Sequence, residues 1–227
     1  MSHHKSEPLW TLLGILFKSH PWHGVAIGPD SPEVVTTYIE IVPSDTIKYE
    51  LDKNTGHLKV DRPQRYSNIC PALYGLIPQT YCADLIGEFC AKKTGRKNIR
   101  GDGDPLDICV LTEKQITHGD ILLKARPIGG FRLLDGDEAD DKIIAVLEGD
   151  AAFGMYRNLA ECPRAVIDRL RHYFLTYKDV PGIEAPKVEI THVYEVAEAH
   201  EVIACAQADY RKHFGDIESM LTTALRG

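Results

Sequence analysis

Thr36-Thr37-Tyr38-Ile39-Glu40-Ile41-Val42 opens the patterned part of the chain. Tyr38, Glu40 and Val42 fall on one side and Ile39 and Ile41 on the other, the two-residue period of a β-strand. Further along, Ile47–Leu51 and Leu58–Arg62 read as a hairpin about Asn54-Thr55-Gly56. Asp107–Thr112, Ile121–Arg132 and Lys142–Leu147 supply more strands, with Gly129-Gly130 marking a bulge. Many short strands linked by turns predict a small closed barrel. Two helices follow. Glu161–Tyr177 puts Val166, Leu170, Phe174 and Tyr177 on one face, with Pro163 near its start. Ala197–Phe214 repeats Ile203, Ala206, Tyr210 and Phe214 at helical spacing, and Val188–Val196 reads as a strand between the two. The predicted class is α+β, mainly β.

Toward the N-terminus the period is lost. Residues 1–35 carry Pro8, Pro21, Gly28, Pro29 and Pro32 and read as an arm packed on a single domain, residues 36–227. Within the arm, His20-Pro21-Trp22-His23 reads as a packing motif around Trp22 in preference to a histidine metal pair. Residues 82–100, with Lys92-Lys93 and Arg96-Lys97, read as a surface insertion whose basic cluster is solvated.

The chain has 227 residues, 44% of them hydrophobic, enough for one large core. A formal net charge of -7 opposes nonspecific nucleic-acid binding. The six cysteines form no C-x-x-C pair, which argues against a zinc knuckle. Leu9–Phe17 is apolar but short and has no cleavage-like small-residue site. No run reaches the ~18 apolar residues of a membrane span. These features predict a cytoplasmic protein with reduced thiols and no membrane partner.

The chemistry concentrates in Gly101-Asp102-Gly103-Asp104-Pro105-Leu106-Asp107. Three carboxylates this close repel one another unless a cation neutralises them, and all-oxygen ligation suits hard cations. An EF-hand register starting at Asp102 puts Glu113 at the twelfth position. It then meets Leu106 where a side-chain oxygen is required and Asp107 where glycine is required. A solvated acidic turn is the plainer alternative, since Asp and Gly are common in turns. A second acidic run, Asp135-Gly136-Asp137-Glu138-Ala139-Asp140-Asp141-Lys142, weighs against it. It follows one strand and opens the next, so the two loops can face each other across a barrel cavity. Lys48, Arg62, Lys142, Tyr177 and Lys178 near strand and helix ends add groups suited to phosphate oxygens. Carboxylates for metals with cations for phosphate point to phosphoryl transfer to water.

Residues 101–107 resemble the D-x-D-P-x-D signature of the soluble, family I inorganic pyrophosphatases. In order along the chain, Tyr-Ile-Glu-Ile (38–41), Ile-Lys-Tyr-Glu-Leu-Asp-Lys (47–53), Val-Asp-Arg (60–62) and Leu-Tyr-Gly (73–75) precede it. Asp-Asp-Lys-Ile-Ile-Ala-Val (140–146) and His-Tyr-Phe-Leu-Thr-Tyr-Lys (172–178) follow. The resemblance spans roughly residues 20–215 and is nearest to the plant-type and chlamydial members.

That resemblance implies a five-stranded OB-like closed barrel with two flanking C-terminal helices. It implies hydrolysis of pyrophosphate to two phosphates by a water activated with several Mg²⁺ ions, in a homo-oligomer. Carried onto this chain, Asp102, Asp107, Asp140 and Asp135 would ligate metal. Asp104 would be the general base. Lys48, Arg62, Tyr74, Lys142, Tyr177 and Lys178 would grip the phosphates. Glu40 and Glu50 would orient water or hold an outer metal. The second acidic loop allows two registers: Asp135 with Asp140 and Lys142 keeps the D-x4-D-x-K spacing, and Asp137 with Asp141 is the other. Residues 69–74 differ from the common Tyr-Pro-x-x-Tyr form. Two other readings stay open: a metal-dependent phosphoesterase acting on a nucleotide, and an OB-like module for single-stranded nucleic acid.

Overall fold

The computed structural model describes residues 18–179, 182 and 188–215, so the apolar run Leu9–Phe17 lies outside the described residues. In chain order the elements are β1 (Val35–Ile41), β2 (Ile47–Leu51), β3 (Leu58–Pro63), β4 (Leu73–Leu76), α1 (Asp84–Thr94), β5 (Arg100–Gly101), β6 (Asp107–Leu111), β7 (Ile121–Asp135), β8 (Glu138–Ala139), β9 (Lys142–Leu147), α2 (Arg164–Thr176), β10 (Val188–Glu195) and α3 (Val196–Phe214). The architecture is a mainly-β sheet with few helices.

The large sheet runs β1-β4-β6-β9-β7-β8-β5, and β10 adds to β7. β1 also pairs β7, with Val35 opposite Ala125 and Ile39 opposite Ile121. β6 and β9 lie parallel at its centre, Asp107 opposite Lys142. They are buried on both faces, as their unbroken apolar runs require. Ile108, Val110, Ile143 and Ala145 enter one apolar cluster with Val202 and Ile203 of α3. Cys109, Leu111, Ile144 and Val146 enter another with Ile167, Leu170 and Phe174 of α2. β2 and β3 form a separate two-stranded sheet.

Four elements go beyond the sequence reading: the two-residue strands β5 and β8, and the longer β4 and α1. β4 pairs so closely with β1 that only glycine fits at position 75: a Cβ there would lie 1.9 Å from the Tyr38 carbonyl oxygen. Residues 82–100, expected as a surface insertion, contain helix α1. Its Ile86 and Cys90 join the core against α3, while Lys92, Lys93, Arg96 and Lys97 are exposed. The N-terminus of α1 has no cap of its own. Asp209 of α3 accepts the backbone N–H groups of Ala83, Leu85 and Ile86 at 3.0–3.1 Å, satisfying donors a helix start leaves orphaned.

The described residues ahead of β1 are tied down by Trp22, which is buried. Its indole N–H donates to the Thr80 carbonyl at 2.7 Å and its ring meets Phe214 edge-on. His23 Nδ1 lies 2.8 Å from the Tyr210 hydroxyl.

Candidate active site

The loop 102–107 is fixed from behind by the segment leading into α1. Cys82 N–H donates to the Asp104 carbonyl at 2.8 Å and Gly103 N–H to the Cys82 carbonyl at 2.9 Å. Leu106 N–H donates to Thr80 Oγ1 at 2.9 Å. Asp102 Oδ1 accepts the Asp104 N–H at 3.0 Å. Pinned in this way, the loop delivers Asp107 to the first position of β6, beside Lys142 at the first position of β9.

Asp102, Asp104, Asp107, Asp135 and Asp140 line one cavity of about 240 Å³, together with Lys48, Arg62, Tyr74, Tyr177 and Lys178. An adjoining recess of about 90 Å³ is lined by Glu40, Glu50 and Lys53, and shares Lys48, Tyr74, Asp104 and Asp107 with the first. Lys142 Nζ donates to both Asp107 and Asp140. All the site residues expected from sequence therefore gather in one region. A larger cavity, about 570 Å³, has walls such as Pro43, Leu73, Ile116 and Leu170 and contains none of them.

The second acidic loop divides by side. Asp135 and Asp140 face the cavity. Asp137 lies outside beside Arg100, 3.9 Å away. Asp141 is buried in an ion pair with Arg132 at 3.1 Å. The turn at 136–137 and the two-residue alternation into β9 produce this division.

The electrostatics are those of crowded carboxylates. Burial, reinforced by the charge of Asp140, pushes the Asp102 carboxyl up to about 9. Burial also raises Asp107, against the pull of Lys142. Glu40 is buried, and burial lifts it to about 8 although its Oε1 accepts the Leu51 N–H at 2.6 Å. The Tyr74 hydroxyl donates to Asp107 Oδ2 at 2.6 Å, and burial raises its phenol well above the ordinary value.

Opposite this wall, Lys48 and Arg62 face each other across the β2–β3 hairpin. Both hold Asp61 Oδ2, at 3.0 and 2.6 Å. Burial opposes ionisation of Asp61, but Lys48 outweighs it and keeps the carboxyl below its usual value. Lys178 bonds Asp135 and Lys53 bonds Asp104. Asn68 Nδ2 donates to the Tyr177 carbonyl at 3.1 Å, anchoring the residue before Lys178. Asp61, Lys53 and Asn68 escaped the sequence reading. Lys53 and Asp61 sit inside the quoted motifs 47–53 and 60–62, and that was the only available signal.

A divalent ion suits this donor set. Its oxygens belong to carboxylates that repel one another, and one lysine answers two of them. Among the described residues no three His, Cys, Asp or Glu side chains already converge on one point at ligand spacing. The Lys142 ammonium holds Asp107 and Asp140 together instead.

The fold and site define a class: a mainly-β protein whose cavity offers carboxylates to hard cations and, among and across from them, ammonium, guanidinium and phenol groups to oxyanions. A family profile described as inorganic pyrophosphatase matches residues 37–211. An inorganic pyrophosphatase of Chlamydia trachomatis serovar L2 is 58% identical over 196 residues, 85% of this chain and 94% of that protein. A soluble inorganic pyrophosphatase of Oryza sativa subsp. indica is 39% identical over 160 residues, 70% of this chain and 66% of that one. The crystal structure of inorganic pyrophosphatase from Thermus thermophilus superposes with a TM-score of 0.71 at 26% identity, covering 85% of this chain and 99% of that one. The chain belongs to the inorganic pyrophosphatase family.

Proposed function

We propose that this protein hydrolyses inorganic pyrophosphate to two phosphates with Mg²⁺. One observation carries the reading in a chain of this family. Two acidic loops about thirty residues apart in sequence meet at one cavity with three cations from other elements, Lys48, Arg62 and Lys178, and Lys142 at the end of the second loop bonds Asp107 of the first. Asp102, Asp107, Asp140 and Asp135 are the metal ligands in this reading, with Glu40 and Glu50 holding water or an outer ion in the adjoining recess. Bound magnesium supplies neutralisation of the phosphates and acidification of water.

The chain's own groups do the rest. Asp104 accepts the proton of the attacking water from its place at the seam of the two recesses. Lys48 and Arg62 bind phosphate oxygens, Arg62 through its fork. Tyr74, Tyr177 and Lys178 complete the grip. Lys142, whose ammonium lies between Asp107 and Asp140, would stabilise charge on the leaving phosphate. No covalent enzyme intermediate is required.

The finer architecture belongs to the same proposal. Residues 36–227 form one domain preceded by the arm of residues 1–35. Within that domain β1, β4, β6, β9 and β7 form a five-stranded OB-like closed barrel, and the pairing of β1 with both β4 and β7 supports it. The protein acts in the cytoplasm as a homo-oligomer, without nucleic-acid or membrane partners. Its six cysteines are all free, which suits a reducing compartment. No helix among the described residues is long and apolar enough to cross a membrane.

The decisive experiment is phosphate release from pyrophosphate against added Mg²⁺, ended by EDTA, with ATP and a nucleotide monophosphate in parallel. Similar rates on all three would overturn the substrate assignment. Size-exclusion chromatography with light scattering tests the oligomer.

A further inference from the structure

Arg132 is fully buried in β7. Its guanidinium donates to Asp141 Oδ2 at 3.1 Å and to Glu198 Oε1 at 2.7 Å. The Tyr194 hydroxyl donates to the same Asp141 oxygen at 3.1 Å. The rings of Phe89 and Tyr194 lie 5.0 and 5.1 Å from the guanidinium carbon. Helices α1 and α3 and strands β7 and β10 thus meet at the residue just before β9. Gly130 makes the arrangement possible, because a Cβ there would lie 2.6 Å from the Tyr194 ring.

Stability alone does not explain this pair. Arg132 Nε and Asp141 Oδ1 are buried without a hydrogen-bond partner among the described residues, so the pair is not a two-pronged fork. Buried ion pairs recover their desolvation only with excellent geometry, and apolar replacements are often neutral or stabilising. The location is what sets the pair apart. Asp140 and Lys142 flank Asp141 and turn toward the site, while Asp141 turns away from it into the network. A rotation of the chain at Asp141 swings both neighbours. The backbone is fixed alongside: Asp140 N–H donates to the Leu133 carbonyl at 2.9 Å and Phe131 pairs with Lys142.

We infer that Arg132 and Asp141 are positioning residues that set the angle at which Asp140 and Lys142 enter the site, with Tyr194 and Glu198 holding the pair. The activity readout of this inference rests on the hydrolase reading above, but its metal-binding readout does not. Supporting groups behind metal ligands typically change affinity or activity by roughly 10- to 100-fold.

The test uses the full chain carrying Asp141→Asn, Arg132→Met, or both, assayed well below each variant's melting temperature. Either single change should lower kcat roughly 10- to 100-fold while the KM for pyrophosphate moves less than about threefold. Mn²⁺ binding, followed by EPR without substrate, should weaken in step. The double variant should be no worse than the poorer single one, since the two act as a unit. Asp150→Asn, remote from the cavity, serves as the control: its melting temperature should fall while kcat and Mn²⁺ affinity stay unchanged. Wild-type kcat and Mn²⁺ affinity in folded Asp141→Asn would overturn the inference. Should both single variants fail to fold, Tyr194→Phe removes one hydroxyl and keeps the ring. It should weaken Mn²⁺ binding a few-fold, and unchanged binding would equally overturn the inference. A wild-type protein that releases no phosphate sinks the functional reading, and the Mn²⁺ comparison still decides the positioning.

Discussion

The carboxylate wall of the cavity and its cation wall are built differently. Asp107 and Lys142 open β6 and β9, strands buried on both faces. Lys48 and Arg62 ride on β2 and β3, a separate two-stranded sheet in which β3 is largely exposed. Crowded like charges must be held by a frame that does not relax, and the core strands fix the backbone positions from which Asp107 and Lys142 project. Groups that grip a phosphate need only stay within reach of it, and a solvated hairpin suffices. The core-mounted wall should therefore govern turnover, and the hairpin should govern substrate affinity.

The largest effect should come from the core side. Asp107→Asn removes a carboxylate held by both Lys142 and Tyr74. Turnover should fall roughly 100-fold or more while the far-UV circular dichroism spectrum keeps its native shape. Near-wild-type phosphate release from this variant would contradict the division of labour. On the hairpin, Arg62→Ala deletes a charge-assisted contact worth about 1.5–3 kcal/mol. The KM for pyrophosphate should rise at least about tenfold, with kcat within about threefold. A variant that instead lost kcat at unchanged KM would show that the hairpin works on the transition state.

Much of this contrast was legible in the chain. The alternation at Thr36–Val42 and the apolar run at 143–147 announce their strands because period and burial are local properties. The roles of Asp137 and Asp141 were not legible. Spacing favours Asp135/Asp140 and keeps Asp137/Asp141 as the alternative, and what it does not supply is Arg132, nine residues back, which draws Asp141 to the far side of the strand. Helix α1 was hidden for a related reason. Gly87 interrupts its apolar stripe, and its N-terminal cap, Asp209, lies more than 120 residues away. β4 is only four residues long and carries a glycine that its neighbour's backbone demands. Long-range partners decide all of these, and a reading of local pattern does not contain them.

Remote from both walls, Asp150 gives a pH-dependent reference. It accepts the Thr112 hydroxyl at 2.6 Å and the Glu113, Ala152 and Phe153 N–H groups at 2.7–3.0 Å. Burial opposes its ionisation, but these donors prevail and hold the carboxyl below its ordinary value. A depressed folded value means stability that is present above the unfolded carboxyl pKa, about 3.9, and lost as pH falls through the lower folded value. Asp150→Asn should thus cost about 1–3 kcal/mol at neutral pH. In urea titrations the gap from wild type should shrink below about pH 4. A gap that persists unchanged to pH 2 would assign the loss to shape instead of charge.

The smallest predicted effect probes the hairpin from within. Asp61 Oδ2 sits between Lys48 Nζ and Arg62 Nη1, and it has two opposing actions. It holds the two cations side by side, which favours substrate, and it neutralises them, which competes with substrate. Partly exposed pairs of this kind are worth about 0–1 kcal/mol, so Asp61→Asn should change the KM by less than about fivefold. The asparagine oxygen can still accept from one cation but no longer balances both. Lys48 and Arg62 then repel and separate, and the KM should rise modestly at constant kcat. A fall in KM would mean that competition outweighs alignment. The hairpin would then be a wall whose own carboxylate restrains its grip, in contrast to the core wall, where Lys142 alone is held between two carboxylates.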